Sequence, residues 1–200
     1  MHEREAHDGQ HQQHETSLEE ERRAQPRVYV ASLTDYNEGR LYGAWLDAAQ
    51  DEKELARCIQ EMLARSPSPG AEEWAIHDYE GFGALRLGEF ESLASVARLA
   101  KGIDEHGPAF AAWAAHVGTD SDELDEFADA YLGEWESAAE FAEEMLADAG
   151  EIEALMRAAP EQLAPYVQID YAGFARDLVA GGELATLENP DGGLFVFRIW

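Results

Sequence analysis

Two hundred residues with 46% hydrophobic content are enough to bury a core, in one domain or in a few small ones. Five Trp, seven Tyr and eight Phe exclude a disordered acidic tail. Forty-two Asp and Glu against fourteen Lys and Arg leave a formal net charge of −28, which repels nucleic acid and anionic membranes and attracts basic proteins. DNA and phospholipid are therefore excluded as direct ligands. The one cysteine, Cys58, permits no internal disulfide and reads as a small buried hydrophobe. No run approaches the roughly 20 apolar residues of a membrane span. Met1 to Gln25 lacks the apolar stretch of a secretory signal, so a cytoplasmic location is expected.

That leading segment reads as a disordered extension, with Leu18 its sole sizeable aliphatic; His2, His7, His11 and His14 are at most loose metal ligands. Order is expected from Arg27. Val28 to Leu33 reads as a strand, Asp35 to Gly39 as a turn, and Leu41 to Leu46 as a second strand, together a hairpin. Asp51 stands as a cap before a helix carrying Leu55, Cys58, Ile59, Met62 and Leu63 on one stripe, stopped by Ser66-Pro67-Ser68-Pro69-Gly70. Glu73 to Tyr79 alternates as a strand, and Gly81-Phe82-Gly83 turns the chain.

From Glu89 the period becomes helical. Leu93, Val96, Ala97 and Ala100 mark a helix expected to end at Gly102; Phe110, Trp113, Ala114 and Val117 mark another ending at Gly118. Asp120 to Leu132 reads as a third, with Leu124, Phe127 and Tyr131 as its stripe. Ser137-Ala138-Ala139-Glu140 has the form of a capping box opening a helix through Phe141, Met145 and Leu146. Pro160 and Pro165 bracket a connector, and Asp170 starts a helix that Gly181-Gly182 ends. A closing hairpin pairs Leu184 to Leu187 with Leu194 to Ile199 across Asn189 to Gly193. The outline is α+β, with helices in the middle and no fixed-period repeat.

The distribution of charge is the most informative feature. Between Lys101 and Arg157 there is no basic residue. Sixteen acids fall in that interval: Asp104, Glu105, Asp120, Asp122, Glu123, Asp125, Glu126, Asp129, Glu134, Glu136, Glu140, Glu143, Glu144, Asp148, Glu151 and Glu153. Asp122 with Glu126, Asp125 with Asp129 and Glu140 with Glu144 are like charges at helical spacing, each costing about 0.2–0.5 kcal/mol. A chain that keeps such pairs on well-patterned helices uses the negative field. Solubility or adaptation to high salt gives a similar composition and is the bland alternative. Asp120-Ser121-Asp122-Glu123-Leu124-Asp125 begins like a calcium loop, but Leu124 replaces the third ligand and Asp125 the glycine.

Enzyme motifs are scarce. The chain has no phosphate loop, dinucleotide fingerprint, His-Glu-x-x-His or Cys-x-x-Cys. His77-Asp78-Tyr79-Glu80 is the one dense titratable cluster, and on a strand its members face opposite ways. Trp45, Trp74, Trp113 and Trp135 read as core. No catalytic residue, metal or cofactor is assigned.

Arg27 to Gly39, Glu72 to Glu80 and Tyr171 to Leu178 resemble segments of the ArdA-type antirestriction proteins, and Tyr131 to Ser137 is similar as well. These segments keep the family's order from Arg27 almost to Trp200; the N-terminal extension departs from it. The resemblance implies an inhibitor encoded on a mobile element that binds type I restriction-modification enzymes in place of DNA, at the DNA-binding core of the specificity and methyltransferase subunits. It also implies an elongated homodimer of three small domains per chain, with carboxylates imitating the phosphates of bent B-form DNA. The dimer seam is implied in the C-terminal domain, and an antirestriction motif near Ala149 to Tyr166.

The expected division is residues 1–25 as extension, 26–88 as a small sheet plus helix, 89–132 as a central helical bundle, and 133–200 as helices with a small antiparallel sheet and the dimer interface. The expected phosphate-mimicking carboxylates are the sixteen above with Glu38, Asp47, Glu72, Glu73, Asp78, Glu80, Glu89 and Glu91. Omitting the extension (seven acids, three bases) leaves −24 per chain, or −48 for a dimer. At one charge per ~1.7 Å of axis this matches roughly 80 Å of duplex, about 24 base pairs. Two other function classes are open: an acidic adaptor or chaperone for another basic DNA-binding protein, and a hydrolase or metal enzyme centred on His77, Asp78 and Glu80.

Overall fold

The computed structural model describes residues 25–200, so the four histidines of the leading segment lie outside the described residues. The architecture mixes helices with two antiparallel three-stranded sheets. Chain contacts gather it into two compact units that divide between Ser121 and Asp122. The strand Tyr131–Trp135 spans positions 132 and 133, where the expected division placed a boundary.

In the first unit, β1 (Arg27–Ser32) is the middle strand, flanked by β2 (Gly43–Asp47) and β3 (Trp74–Glu80). The expected β1–β2 hairpin forms, with Tyr29 opposite Trp45. The segment expected as a plain turn contains a short helix, α1 (Leu33–Asn37), because the Ser32 side chain caps it by accepting the Asp35 N–H at 3.3 Å. Val28 and Val30 point into the core, while Arg27 and Tyr29 lie on the other face. A register shift opposite Tyr29/Val30 interrupts β3 at His77, and beyond it Ala75 and Ile76, paired with buried Ala31 and Val30, are both buried.

Helix α2 (Glu52–Ala64) buries Leu55, Ile59, Met62 and Leu63 as its stripe predicts, whereas Cys58 is only half-buried. Asp51 is its N-cap by position but makes no capping bond; its carboxylate bonds Lys101 instead. Helix α3 (Leu93–His106) runs through Gly102 and stops at Gly107, whose φ of 69° suits glycine. The expected stop at Gly102 is thus corrected. A Cβ at Gly102 would lie 2.3 Å from the Phe110 ring, so this glycine permits close packing against α4 (Pro108–Val117) rather than ending a helix.

The second unit departs from expectation at its start. Asp122–Glu126 is a 3-10 turn, α5 (Phe127–Ala130) is one turn long, and Tyr131–Trp135 is strand β4. The expected helix over Asp120 to Leu132 does not form: Tyr131 and Gly133 pair instead with β6 (Leu194–Arg198). Tyr131 then stacks on Phe127 at 5.3 Å and meets Phe197 at a tilt, 5.4 Å between ring centroids. The capping box at Ser137 opens α6 (Ala138–Asp148) as expected, its hydroxyl accepting the Glu140 N–H at 3.2 Å. Helix α7 (Glu151–Ala158) follows, and no residue of it is buried. Asp170 caps α8 (Tyr171–Ala180), accepting the Gly173 N–H at 2.8 Å. The closing hairpin pairs β5 (Leu184–Glu188) with β6, giving the order β4-β6-β5 over a core of Phe141, Leu184 and Val196.

Candidate functional site

Charge is partitioned unequally between the units. Residues 25–121 carry sixteen acids and eight Lys and Arg, a net of −8. Residues 122–200 carry nineteen acids against Arg157, Arg176 and Arg198, a net of −16 in fewer residues. The excess faces water. Of the twenty-four carboxylates singled out above, twenty-two are exposed, and Glu80 and Glu91 are half-buried.

Several of these groups are held in place. Glu80 accepts from Arg27 at 2.5 Å, and Glu38 pairs with Arg40. Asp47 and Asp78 accept the backbone N–H of Ala49 and Tyr79, both at 2.9 Å. Glu126 accepts from the Trp200 indole at 3.0 Å, and Glu134 from the Asn189 amide at 2.6 Å. Glu140 reaches back to the Glu136 N–H at 2.9 Å, one residue before the cap, completing a shifted capping box. Such bonds leave oxygen lone pairs facing solvent and fix where the negative charge sits.

The structure brings some acids together and separates others. Glu134, Glu136 and Glu140 converge with Gly192 and Gly193 around an open depression of about 630 Å³. Glu140 and Glu144 stand at i, i+4 along α6, as their spacing predicted, and Asp148 follows at the same interval. Asp122, Glu126, Asp125 and Asp129 do not share one helix, since a 3-10 turn carries the first three and α5 carries Asp129. Glu161, Asp170, Asp177, Glu183, Glu188 and Asp191 are exposed on the same unit and were passed over in the sequence. Their signal was present: beyond Arg157 only Arg176 and Arg198 oppose them.

His77, Asp78, Tyr79 and Glu80 do not assemble into a reactive centre. His77 sits edge-on to Tyr36 at 4.8 Å, Asp78 is exposed, and Glu80 is bound by Arg27. Among the described residues no group of three or more His, Cys, Asp or Glu is placed to hold a metal ion. No described helix is long and apolar enough to cross a membrane. Of the tryptophans expected in the core, Trp113 is buried, Trp74 and Trp135 are half-buried, and Trp45 lies 38% exposed beneath the Arg27 guanidinium, 4.7 Å from its ring.

The carboxylate with the most perturbed titration is not on the acidic surface. Asp35 is fully buried, and burial pushes its pKa up. Hydrogen bonds from Ser66 at 2.5 Å, Ser68 at 2.6 Å, Ser32 and Arg40 outweigh that and hold it at about 2. This ionised network ties α1 to the Ser66–Gly70 segment and is structural. Sequence reading missed it, because Asp35 looked like an ordinary turn residue. Elsewhere the Lys101 ammonium holds Asp51 below its usual value, while burial and the charge of Glu134 raise the Tyr131 phenol.

Such a surface can engage an array of cations without covalent chemistry. A search of curated proteins found no match to the chain. A family model described as antirestriction protein (ArdA) matches residues 28–190, from the second residue of β1 to the turn between β5 and β6. The chain therefore belongs to the ArdA family of antirestriction proteins.

Proposed function

We propose that this antirestriction protein binds a type I restriction-modification enzyme as a mimic of DNA, occupying the DNA-binding core of its specificity and methyltransferase subunits. The observation that carries the reading is the net charge of −16 on residues 122–200, displayed on exposed carboxylates with three arginines to oppose it. An enzyme groove built to neutralise phosphates with Lys and Arg meets here a comparable density of anions. Complementary fields of this kind steer association and set which partner is accepted. No bond is made or broken and no cofactor takes part. The twenty-four carboxylates act collectively, and the setting is the cytoplasm.

The reading includes a homodimer with its seam in the second unit. Helix α7 supports this: it is amphipathic, has no fully buried residue, and leaves Leu155 46% and Met156 42% exposed. Leu163 and Tyr166 extend the exposed apolar surface to the end of the segment where the antirestriction motif is placed. It also includes the family's three-part arrangement, with α3 and α4 as the middle part.

Competition tests the function. The protein is titrated into a type I complex bound to labelled cognate DNA at two salt concentrations. Near-stoichiometric displacement that weakens as salt rises is the expected result; DNA that stays bound at large excess across a panel of type I enzymes would refute it.

A further inference from the structure

The second unit carries a cleft of about 390 Å³ that phosphate mimicry does not explain, since a DNA backbone has no apolar hollow. Its floor is formed by Trp135, Met145 and Leu178, packed over buried Phe141 and Leu184. The Trp135 indole is fixed there: its N–H donates to the Leu132 carbonyl at 3.2 Å, and its ring meets Phe141 edge-on at 5.4 Å. The polar atom of the indole is thus used, and its ring serves as an apolar wall. The rim is ionic. Glu144 and Asp148 stand one turn apart on α6 on either side of Met145, and Glu183 precedes β5. Arg198 is the one cation in the lining, against three carboxylates, in a unit of net charge −16.

An apolar floor beneath an anionic rim recognises a cation on an apolar body. We propose that this cleft is an anchor site for a lysine or arginine side chain of the partner protein together with its aliphatic or aromatic neighbour. The assignment rests on the reading that a basic enzyme surface is the partner. The volume falls within the range of ordinary ligand sites, ~300–1,000 Å³, and the few charged groups at the edge set orientation. Burial of an apolar group responds little to salt, unlike contacts between exposed charges. The site therefore adds a salt-insensitive component to a binding reaction that is otherwise electrostatic.

Two measurements on the full chain test this. In the first, NMR follows titration with 4-phenylbutylamine and, separately, 4-phenylbutyrate. Saturable shifts at the Met145 methyl and Trp135 indole N–H are expected with the amine, about tenfold tighter than with the carboxylate. The exposed triple variant Glu144→Gln, Asp148→Asn, Glu183→Gln is expected to erase that preference. Absence of a saturable amine shift, or equal binding of the carboxylate, overturns the proposal. In the second, Met145→Lys and Leu178→Gln are compared with the parent protein in the competition assay. Each is expected to weaken displacement about tenfold at both salt concentrations, with the salt dependence unchanged in the charge-neutral Leu178→Gln. Parental potency in both variants overturns the anchor while leaving DNA mimicry standing. If the parent protein itself fails to displace DNA, the proposed function falls and this occupant falls with it. Loss of a dimer in sedimentation of Met145→Lys assigns the cleft to contact between copies and likewise overturns the anchor.

Discussion

Neutralising six carboxylates of the second unit together tests the idea that inhibition is a property of the whole acidic surface. Asp122→Asn, Asp129→Asn, Glu136→Gln, Glu143→Gln, Glu151→Gln and Glu153→Gln are all at exposed positions and lie outside the apolar cleft. Together they take the net charge of residues 122–200 from −16 to −10. An exposed ion pair contributes roughly 0.2–1 kcal/mol, so each carboxylate engaged by the enzyme is worth about a factor of two in affinity. A single substitution is therefore expected to lower potency about twofold, and no more than about fivefold. Six independent ones compound to roughly 60-fold. The assay is displacement of labelled DNA from a type I complex at roughly 50 and 200 mM salt, with circular dichroism to show that the fold is retained. Potency of the sextuple variant is also expected to depend less on salt, because fewer ions are exchanged on binding. Abolition of inhibition by any one of the six alone would refute distributed mimicry in favour of a local contact. A sextuple variant of parental potency at both salts refutes the second unit as the binding surface.

Three further outcomes follow from the geometry. Asp35 titrates at about 2 in the folded protein against an ordinary 3.8, so its ionised network stabilises the fold above pH ~4 and that contribution is lost as pH falls from ~4 towards 2. Asp35→Asn is expected to lower the melting temperature at pH 7 and to flatten its decline over that acidic window, read by thermal unfolding at a series of pH values. Gly102→Ala is expected to destabilise despite a helix-propensity gain of about 1 kcal/mol, because a Cβ there meets the Phe110 ring at 2.3 Å and overpacking costs about 1–3 kcal/mol. The same change in a Phe110→Leu background is expected to cost less than in the parent, which differential scanning calorimetry checks. Leu155→Glu with Met156→Glu is expected to yield monomers in sedimentation equilibrium with unchanged helicity; a dimer that persists removes α7 from the seam.

Much of the fold was legible because local signals agreed with tertiary ones. Ser137 and Asp170 cap the helices they open, and the α2 stripe is buried in four of its five positions. The Asn189–Gly193 segment turns the last hairpin, with the Asn189 side-chain Oδ1 accepting the Asp191 N–H at 3.0 Å. Misreadings occurred where a partner distant in sequence decides. Gly102 reads as a helix stop until Phe110 is seen against it, and Tyr131 reads as helical until β6 claims it. Burial of Asp35 depends on Ser66 and Ser68, some thirty positions away, which no local pattern reveals. The acidic surface was legible as composition, since charge seldom hides from solvent. Its extension past Arg157 is less plain in the sequence, because Arg176 and Arg198 break the acidic run there and only the local balance of charge reveals it. The apolar cleft had no linear signature, its walls coming from β4, α6, α8 and β5.

The strand orders β2-β1-β3 and β4-β6-β5 place the central strand at opposite ends of their sheets' sequence segments. On a ribosome this makes the two halves mature on different schedules. The middle strand of the first sheet emerges before either neighbour, and pairing with β2 can begin once Asp47 has cleared the exit tunnel. In the second sheet both flanking strands are made before Leu194–Arg198, the strand that joins them. Until β6 emerges β4 has no strand to pair with and exposes its edge, and like charge along the newly made acidic segment repels neighbouring nascent chains. A stop codon shortly before Leu194 would thus leave the second sheet without its middle strand, while all three strands of the first would already have been made.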